Sequence, residues 1–388
     1  MTIDSHSNDI PDEVASRAIS RNGGRLLSLD ALRGFDMIWI MGLARVFRGW
    51  CTLFSGGKDF ALYHQMCHVQ WEGLAFYDTI FPLFIFIAGV SWPFSYAHQC
   101  AKGVSTRSVY FKIFRRLATL LALGMVYNGI LQLDFHDFRY ASVLGKIGLA
   151  WALAAVIYIN TGFKSRLAAL LALLAGYWAL LQFTAPDAPA GAGPFTLDGC
   201  MPGYLDRLGF TPGYLYCDNK LEPSGVVVSA LGSTASALLG MFAGDLVRLE
   251  KSGFTPARKA GALALIGLAL GLAGWALSFD TPIIKNLWTP SFTLVCGAVS
   301  FVLFALFYYV IDVKGRSKWS MPLQVVGVNA IAAYMMQAFI DFKKTSAFFF
   351  GGLASFFPSP DFINGVGYTL LCWCTLYFLY RKKVFIKC

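Results

Sequence analysis

Long apolar stretches recur along the whole chain and are separated by shorter polar segments. Each stretch is continuously apolar and approaches the roughly 20 residues that an α-helix needs to cross a bilayer. Backbone polar groups in lipid must be satisfied within the crossing segment, so continuous runs favour helices over barrel strands. The pattern predicts ten spans, at residues 26–46, 76–98, 117–133, 142–161, 167–183, 226–247, 260–279, 292–311, 323–342 and 363–380.

Composition supports the same fold class. Of the 388 residues, 56% are hydrophobic and only 14% are charged, whereas soluble domains carry about a quarter charged residues. The net charge of +10 falls mainly on alternate loops, which indicates cytoplasmic loops and not a nucleic-acid partner. We therefore expect an all-α, polytopic integral membrane protein of a bacterial inner membrane, with both termini cytoplasmic.

The polar segments predict how the chain is organised outside the spans. Residues 1–24 lack the apolar core of a signal peptide and are expected to form a disordered cytoplasmic tail. Residues 25–388 form one predicted transmembrane domain. Its outer loop at about 184–225 contains enough aromatic residues to fold into a cap. Cys200 and Cys217 lie on this loop and are the preferred disulfide pair, although the sequence leaves their oxidation state open.

The first predicted span begins with SLDALRG, which contains an acid and a base three residues apart. Ser28 is a candidate N-cap, and Asp30 and Arg33 share one face of the helix. One interpretation is a salt bridge within the helix that fixes its packing. In the other, Arg33 faces an anionic ligand on the cytoplasmic side while Asp30 orients its guanidinium group.

A histidine precedes the second predicted span, in the segment HVQWEGLAFYDTIF. His68 is followed by Trp71 and, ten residues later, by Asp78. A loop histidine is usually a solvated side chain. Here the carboxylate could hold the imidazole in one tautomer, and a neutral imidazole suits general-base catalysis near pH 7.

The loop between spans seven and eight contains Lys285, Asn286 and Trp288. Such a loop is commonly an interfacial anchor, but it could also supply donors to an oxyanion or a sugar hydroxyl. Asn329 in span nine favours hydrogen bonding between helices. Arg116, placed at the cytoplasmic start of span three, favours a topological role with phosphate binding second. No cysteine or histidine spacing indicates a metal site.

Several segments together resemble one family, the transmembrane catalytic domain of heparan-alpha-glucosaminide N-acetyltransferase and its bacterial relatives. The similar segments are SLDALRG (28–34), HVQWEG (68–73), YDTIFPLFIFIAGVS (77–91), KIFRR (112–116), YLDRLG (204–209), EPSG (222–225), KNLWTPSF (285–292) and GVNAIAAY (327–334). Their order and topological sides agree with the family.

The resemblance implies transfer of acetyl from cytoplasmic acetyl-CoA to the amino group of a glucosamine-type sugar on the extracytoplasmic side. It implies that His68 is catalytic, with Asp78 as its orienting group. The residues assigned to the acceptor or oxyanion are Lys285, Asn286, Trp71 and Trp288. Those assigned to the acetyl-CoA donor are Asp30, Arg33, Arg116 and Asn329. The expected partners are an amino sugar or glycan, membrane lipid and, in a homodimer, a second copy of the chain, without nucleic acid.

Two other functions stay open from the sequence. Charged residues within spans also fit a secondary transporter for an amino sugar, although the chain has no internal repeat of the kind many transporters show. An O-acyltransferase of a surface glycan would keep the chemistry and change the acceptor. Within the acetyltransferase interpretation, direct attack by the amine and a covalent acetyl-histidine intermediate both remain possible.

Overall fold

The computed structural model describes residues 26–54, 57–133, 142–209, 228–250 and 252–386. Among these residues, β structure is limited to two isolated bridges. The α-helices of the described chain are α1 (Leu27–Ile38), α2 (Ala44–Phe54), α3 (Ala61–Gln65), α4 (Ile80–Ala101), α5 (Thr106–Tyr127), α6 (Val143–Asn160), α7 (Phe163–Leu181), α8 (Met201–Gly209), α9 (Ser229–Arg248), α10 (Pro256–Leu277), α11 (Pro290–Phe307), α12 (Met321–Gly327), α13 (Ala330–Phe339), α14 (Phe342–Ala354) and α15 (Pro360–Arg381). The predicted N-terminal tail lies outside the described residues.

Seven helical segments of the described chain are long and apolar enough to cross a membrane. They are Phe76–Ala101, Val143–Asn160, Phe163–Leu181, Ser229–Arg248, Pro256–Leu277, Pro290–Val313 and Pro360–Arg381. Each coincides with a predicted span, so the all-helical, multi-pass character of the chain is confirmed. The total of ten spans and the cytoplasmic location of both termini stay predictions.

The predicted first and ninth spans are each interrupted in the structure. A π-helical turn at Trp39–Leu43 separates α1 from α2, and Gly42 within it has a φ of 121°, a conformation that side chains with a Cβ rarely adopt. In the ninth span, Asn329 precedes α13 with φ −122° and ψ 33° and so breaks the helical path after α12. Hydropathy does not reveal these breaks because both segments stay apolar across them.

The helix that contains most of the third predicted span, 117–133, has different bounds at both ends. Helix α5 begins at Thr106, where the Ser105 side chain accepts a hydrogen bond from the Ser108 amide, and it ends at Tyr127. The charged residues before 117 are good helix formers, so the helix continues through them where the apolar pattern stops. Gly129, with a φ of 94°, follows the helix end.

The chain divides into two compact units. Unit 1 comprises Met1–His68, Leu246–Leu268 and Val299–Lys387, and unit 2 comprises Val69–Asp245 and Ala269–Ala298 together with Cys388. The division falls within α9, α10 and α11. The prediction that residues 25–388 act as one catalytic domain stays a prediction.

In unit 1, the start of α1 is held by a carboxylate from a distant part of the chain. The backbone amides of Leu27 and Ser28 donate to Asp312 at 3.2 Å and 3.3 Å. Amides in the first turn have no partner within their own helix. The positive end of the helix dipole also lies there and attracts an anion. Ser28 therefore lies inside the first turn, and its predicted role as the N-cap was wrong because Leu26 occupies that position.

In unit 2, α4 and α9 approach closely through two glycines. A Cβ atom on Gly89 would collide with the carbonyl oxygen of Ala237, and one on Gly240 would collide with that of Phe86. Small residues at such crossings let helix backbones come together where lipid supplies no hydrophobic driving force.

One end of α6 is fastened by a cluster of three side chains, Tyr158, Arg166 and Asp245, named here the Arg166 cluster. The Arg166 guanidinium group binds the Asp245 carboxylate at 2.5 Å and lies 3.5 Å from the centre of the Tyr158 ring. It also donates to the carbonyl oxygens of Tyr158 and Thr161, while the Tyr158 hydroxyl donates to Asp245 at 2.6 Å. The ends of α6, α7 and α9 are thereby joined in unit 2.

Candidate functional site

Two segments that resemble the acetyltransferase family meet in unit 2. Glu72, before α4, forms an antiparallel bridge with Ile284, between α10 and α11. The Gly73 amide donates to the Ile283 carbonyl oxygen at 2.8 Å. Gly73 has a φ of 117°, which explains why glycine occupies this turn. The HVQWEG and KNLWTPSF segments therefore form one structure, although the chain separates them widely.

An ion pair joins the KNLWTPSF segment to a third family-like segment, YDTIFPLFIFIAGVS. The Lys285 ammonium group lies 2.9 Å from Oδ1 of Asp78, across 207 residues of sequence. The Asp78 side chain is 1% exposed, and its Oδ2 accepts hydrogen bonds from the amides of Val69 and Ala75 at 3.2 Å each. Backbone amides and a cation thus hold this carboxylate in a fixed orientation, as a buried anion requires.

A second lysine lies buried beside this pair. Lys146, in the first turn of α6, places its ammonium group 4.3 Å from the centre of the Trp288 ring and 5.8 Å from that of Phe81. The face of an indole ring attracts a cation, most strongly where water is excluded. Lys146 also interacts electrostatically with Lys285, so positive charge accumulates around Asp78.

Trp288 supports this arrangement from a strained position. It is 1% exposed and has a φ of 55°, which is unusual for a residue with a bulky side chain. Its indole nitrogen donates to the Ser236 hydroxyl at 3.2 Å. The interfacial-anchor interpretation of Trp288 was therefore wrong: the ring is a buried platform beneath Lys146.

A carboxylate from the cap completes the group. Asp206, in α8, is 2% exposed, and no described residue lies within hydrogen-bonding geometry of its two oxygens. Burial raises the pKa of Asp206 to about 6, while the nearby charges of Lys146 and Arg207 act in the opposite direction. We call Asp78, Lys146, Asp206 and Lys285 the Lys285 cluster.

The described part of the predicted cap packs against the loop between α10 and α11, which contains Lys285. The Trp71 indole nitrogen donates to the Phe195 carbonyl oxygen at 2.7 Å, and the Tyr177 hydroxyl donates to that of Leu287 at 2.5 Å. Trp71 also packs against a buried group formed by Tyr177, Leu181, Cys200, Ile284 and Leu287. Trp71 therefore fastens the cap to the site.

The predicted disulfide can be examined at one of its two cysteines. Cys200 is a buried free thiol that donates to the Leu197 carbonyl oxygen at 3.4 Å. Burial raises the pKa of the Cys200 thiol to about 11. Cys217 and the EPSG segment lie outside the described residues.

His68 is exposed and is the last residue of unit 1. The next residue along the chain is Val69, whose amide donates to Asp78. Chain connectivity thus ties the histidine to the segment that binds this carboxylate. Asn286 follows Lys285 directly and is half-buried. The catalytic role of His68 and the oxyanion role of Lys285 and Asn286 stay predictions.

The predicted donor residues of unit 1 make structural contacts. Arg33 donates to Oδ1 of Asp30 at 3.2 Å, which is the predicted salt bridge within the helix. The Asn329 amide group donates to the Val384 carbonyl oxygen and accepts from the Ile386 amide, each at 3.0 Å. Asn329 therefore holds the C-terminal segment, and the predicted bond between spanning helices is not what its amide makes.

Arg116 lies well inside its helix and not at the helix start. Because α5 begins at Thr106, Arg116 lies about 15 Å along the helix axis from its start. Its guanidinium group lies 4.0 Å from the centre of the Trp151 ring. The helix that carries Arg116 thus begins before the predicted span, and the location of Arg116 at the cytoplasmic start of that span stays a prediction.

Lys146 and Asp206 were missed as site residues. Lys146 is the one charged residue within predicted span 142–161, and a charge within a span is a functional hypothesis by default. Asp206 lies in YLDRLG, where sequence offers no sign of its burial. Within the described residues, no group of three or more His, Cys, Asp or Glu side chains could hold a metal ion.

Comparison with known proteins finds distant relatives of the chain. No family model matches the chain. The chain is 26% identical to human heparan-alpha-glucosaminide N-acetyltransferase over 419 aligned residues, and 25% identical to the mouse protein over 431. The alignments cover 94% of this chain but only 60% and 61% of those proteins, so the chain spans about three fifths of their length. The chain is thus a distant relative of heparan-alpha-glucosaminide N-acetyltransferase.

Proposed function

We propose that the chain is a membrane acetyltransferase that moves acetyl from cytoplasmic acetyl-CoA to the amino group of a glucosamine-type sugar on the extracytoplasmic side. The main support is the ion pair between Lys285 and Asp78, which joins two family-like segments 207 residues apart. The names of the distant relatives support acetyl transfer to an amino sugar. The proposed location is a bacterial inner membrane.

The reaction needs a base and an oxyanion donor. A sugar ammonium group must lose its proton before its nitrogen can attack the thioester carbon. In the proposal, this first proton is released to the solvent and the neutral amine attacks. His68 then takes the second proton, which the nitrogen loses as the new C–N bond forms and the C–S bond breaks. The proton then passes to the departing CoA thiolate. His68 directly precedes Val69, whose backbone amide donates a hydrogen bond to Asp78.

Lys285 is the proposed donor to the tetrahedral oxyanion, with Asn286 beside it. Asp78 holds the Lys285 ammonium group in place, and the lysine side chain remains 23% exposed. A pre-oriented cation in a site of low dielectric constant stabilises developing negative charge more strongly than water does. Lys146 adds to the positive field from its position over Trp288.

The donor assignment changes with the position of Arg116. Arg33, with its orienting partner Asp30, remains the proposed contact for the CoA phosphates. Arg116 lies midway along α5, so we assign it to the arm that carries the thioester. Asn329 has a structural role in the C-terminal segment and drops out of the proposed donor site.

The deciding experiment uses purified protein in proteoliposomes with acetyl-CoA labelled in the acetyl group. Glucosamine, glucose and N-acetylglucosamine are supplied on the opposite face, and the products are analysed by mass. An amide on glucosamine supports the proposal. An ester identifies an O-acyltransferase, and uptake of unmodified sugar without CoA identifies a transporter.

His68→Ala tests the role of the base. We expect acetyl transfer to fall by roughly 10²- to 10⁴-fold while acetyl-CoA binding and the thermal unfolding midpoint are retained. The exposed His64 of α3 supplies a matched control, His64→Ala, which should keep full activity. Unchanged transfer by His68→Ala would remove the histidine from the mechanism.

The same preparation separates direct transfer from a covalent intermediate. If His68 carries the acetyl group, incubation with labelled acetyl-CoA without acceptor should leave label on the histidine, and the kinetics should be ping-pong. Direct attack predicts sequential kinetics and no labelled protein.

A further inference from the structure

Two adjacent tryptophans inside unit 2 have indole N–H groups without partners. Trp92 in α4 and Trp151 in α6 are 4% and 2% exposed. Among the residues that the structure describes, neither indole nitrogen has a hydrogen-bond partner. Buried tryptophan normally finds an acceptor for this N–H, and an unpaired donor surrounded by lipid-facing helices is costly. Such donors indicate a place for a ligand that carries acceptors.

The two rings make an edge-to-face contact, with centroids 5.1 Å apart and planes at 90°. In this geometry one N–H can point at the π face of the other ring, which is a weak substitute for a hydrogen bond. The second N–H cannot do the same in return. At least one strong donor therefore remains for a ligand.

The rings belong to an aromatic row along α6. Trp92 stacks on Tyr96 with centroids 5.8 Å apart, and Tyr96 contacts Tyr158 at the same distance. At the other end of the row, the Arg116 guanidinium group lies over Trp151. The row combines apolar ring surface with hydrogen-bond donors and a positive charge.

The row lies between the two charged clusters of unit 2. Trp151 follows Lys146 by about 7.5 Å along the helix axis, and Tyr158 lies about 10 Å beyond Trp151. A ligand that follows the row would therefore extend from the Arg166 cluster towards the Lys285 cluster. It would have to be long, narrow and alternately apolar and carbonyl-bearing.

We propose that Trp92 and Trp151 donate hydrogen bonds to the amide carbonyl oxygens of the pantetheine arm of the acyl donor. This inference rests on the proposed acetyltransferase function. The arm alternates methylene links with two amide groups, which matches ring surface interrupted by N–H donors. Arg116 lies at the Trp151 end of the row, where the acyl end of the arm would bind. The thioester would then face the Lys285 cluster.

Replacing each tryptophan by phenylalanine provides the test, because it removes the N–H and keeps an aromatic ring. Titration calorimetry measures the affinities of CoA, pantetheine and adenosine 3′,5′-diphosphate for Trp92→Phe, Trp151→Phe and the unaltered protein. We expect a loss of roughly three- to tenfold for CoA and pantetheine in at least one variant, the size of one lost hydrogen bond. The nucleotide half alone should bind with unchanged affinity.

The stabilisation that CoA gives to each variant distinguishes a binding role from a structural one. Phenylalanine also removes buried ring atoms, so both ligand-free variants should lose stability whatever the role of the N–H. If the N–H binds the arm, saturating CoA should raise the unfolding midpoint less in the variant than in the unaltered protein, whereas a purely structural N–H leaves that increase unchanged. Trp275→Phe, at an exposed position of α10, controls for the ring substitution. It should alter neither stability nor affinity.

Three outcomes separate this inference from the proposed function. Unchanged CoA and pantetheine affinity in both variants overturns the inference and leaves the acetyltransferase proposal standing. Weaker CoA binding by a variant, with no transfer by the unaltered protein, supports the subsite and overturns the acetyltransferase. Absence of CoA binding by the unaltered protein overturns both.

Discussion

The Lys285 and Arg166 clusters both contain buried charges within unit 2, but their charged groups differ in how many hydrogen bonds they make within the protein. In the Arg166 cluster the guanidinium group binds a carboxylate, two carbonyl oxygens and a ring face. In the Lys285 cluster, Asp206 accepts no hydrogen bond from a described residue, and Lys146 rests on a ring. The Arg166 cluster therefore joins helix ends through its own contacts. In the Lys285 cluster, Asp206 and Lys146 remain able to bind another polar group.

The backbone around the two clusters differs in the same direction. The Lys285 cluster is flanked by Gly73 and Trp288, both with positive φ, whereas the Arg166 cluster joins regular helix ends. Strained backbone persists where the surrounding structure over-determines it, and such positions concentrate at functional sites. The comparison predicts that changes at the first cluster affect chemistry and changes at the second affect stability.

The largest expected effect follows from replacing Lys285. Lys285→Met should lower kcat by roughly 10²- to 10³-fold, because it removes the proposed oxyanion donor, while acetyl-CoA still binds. Labelled acetyl transfer together with titration of CoA measures both properties. The exposed Lys164 of α7 gives the control, since Lys164→Met should keep its activity. Full kcat in Lys285→Met would break the functional side of the comparison.

Arg166→Met should act on stability. Leaving Asp245 without its cation should cost about 3 kcal/mol of unfolding free energy, the lower end of the range for breaking a buried pair, because the Asp245 side chain is 26% exposed. Thermal unfolding in detergent measures the loss, and transfer per folded molecule should stay constant. A stable Arg166→Met protein with impaired transfer would reverse the roles of the two clusters.

Asp206 makes stability depend on pH with a definite sign. Its pKa of about 6 in the folded protein exceeds the ordinary value of 3.8, so the folded state binds more protons between these values. Stability should fall as pH rises from about 4 to 6, by up to about 3 kcal/mol. The difference in unfolding midpoint between the unaltered protein and Asp206→Asn, followed across this window, isolates the effect. A difference independent of pH would contradict it.

The smallest effect concerns the cap. Trp71→Phe removes the hydrogen bond to the Phe195 carbonyl oxygen and should cost about 1 kcal/mol. We expect faster proteolytic cleavage within residues 184–209, with little change in the global unfolding midpoint. Trp275→Phe serves again as the control. Unchanged cleavage would show that ring packing alone fastens the cap.

Much of the helical architecture could be predicted because lipid imposes a strong and local rule. Spans such as Val143–Asn160 and Pro256–Leu277 are apolar for the length that a bilayer demands. The rule fails where a helix extends beyond its apolar residues, as at the charged start of α5. It also fails where a helix is interrupted within apolar sequence, as at Gly42.

The site could be predicted only in part because its contacts join distant residues. Sequence identified Asp78 and Lys285 separately, but it contains no sign that they pair across 207 residues. The αL conformation of Trp288 and the burial of Asp206 depend on tertiary packing. Lys146 was available from sequence as a charge inside a span and was missed. The unpaired indoles of Trp92 and Trp151 needed the structure.

The contact between Asp312 and the start of α1 has a consequence for biosynthesis. The Ser28 amide binds the carboxylate of Asp312, which is synthesised 284 residues later. Until then the amino end of α1 lacks this carboxylate, and water or a lipid phosphate must bind its open amides. Completion of this helix is therefore a late event in assembly. Truncated chains that end before residue 312 should leave the amides of Leu27 and Ser28 open to hydrogen exchange.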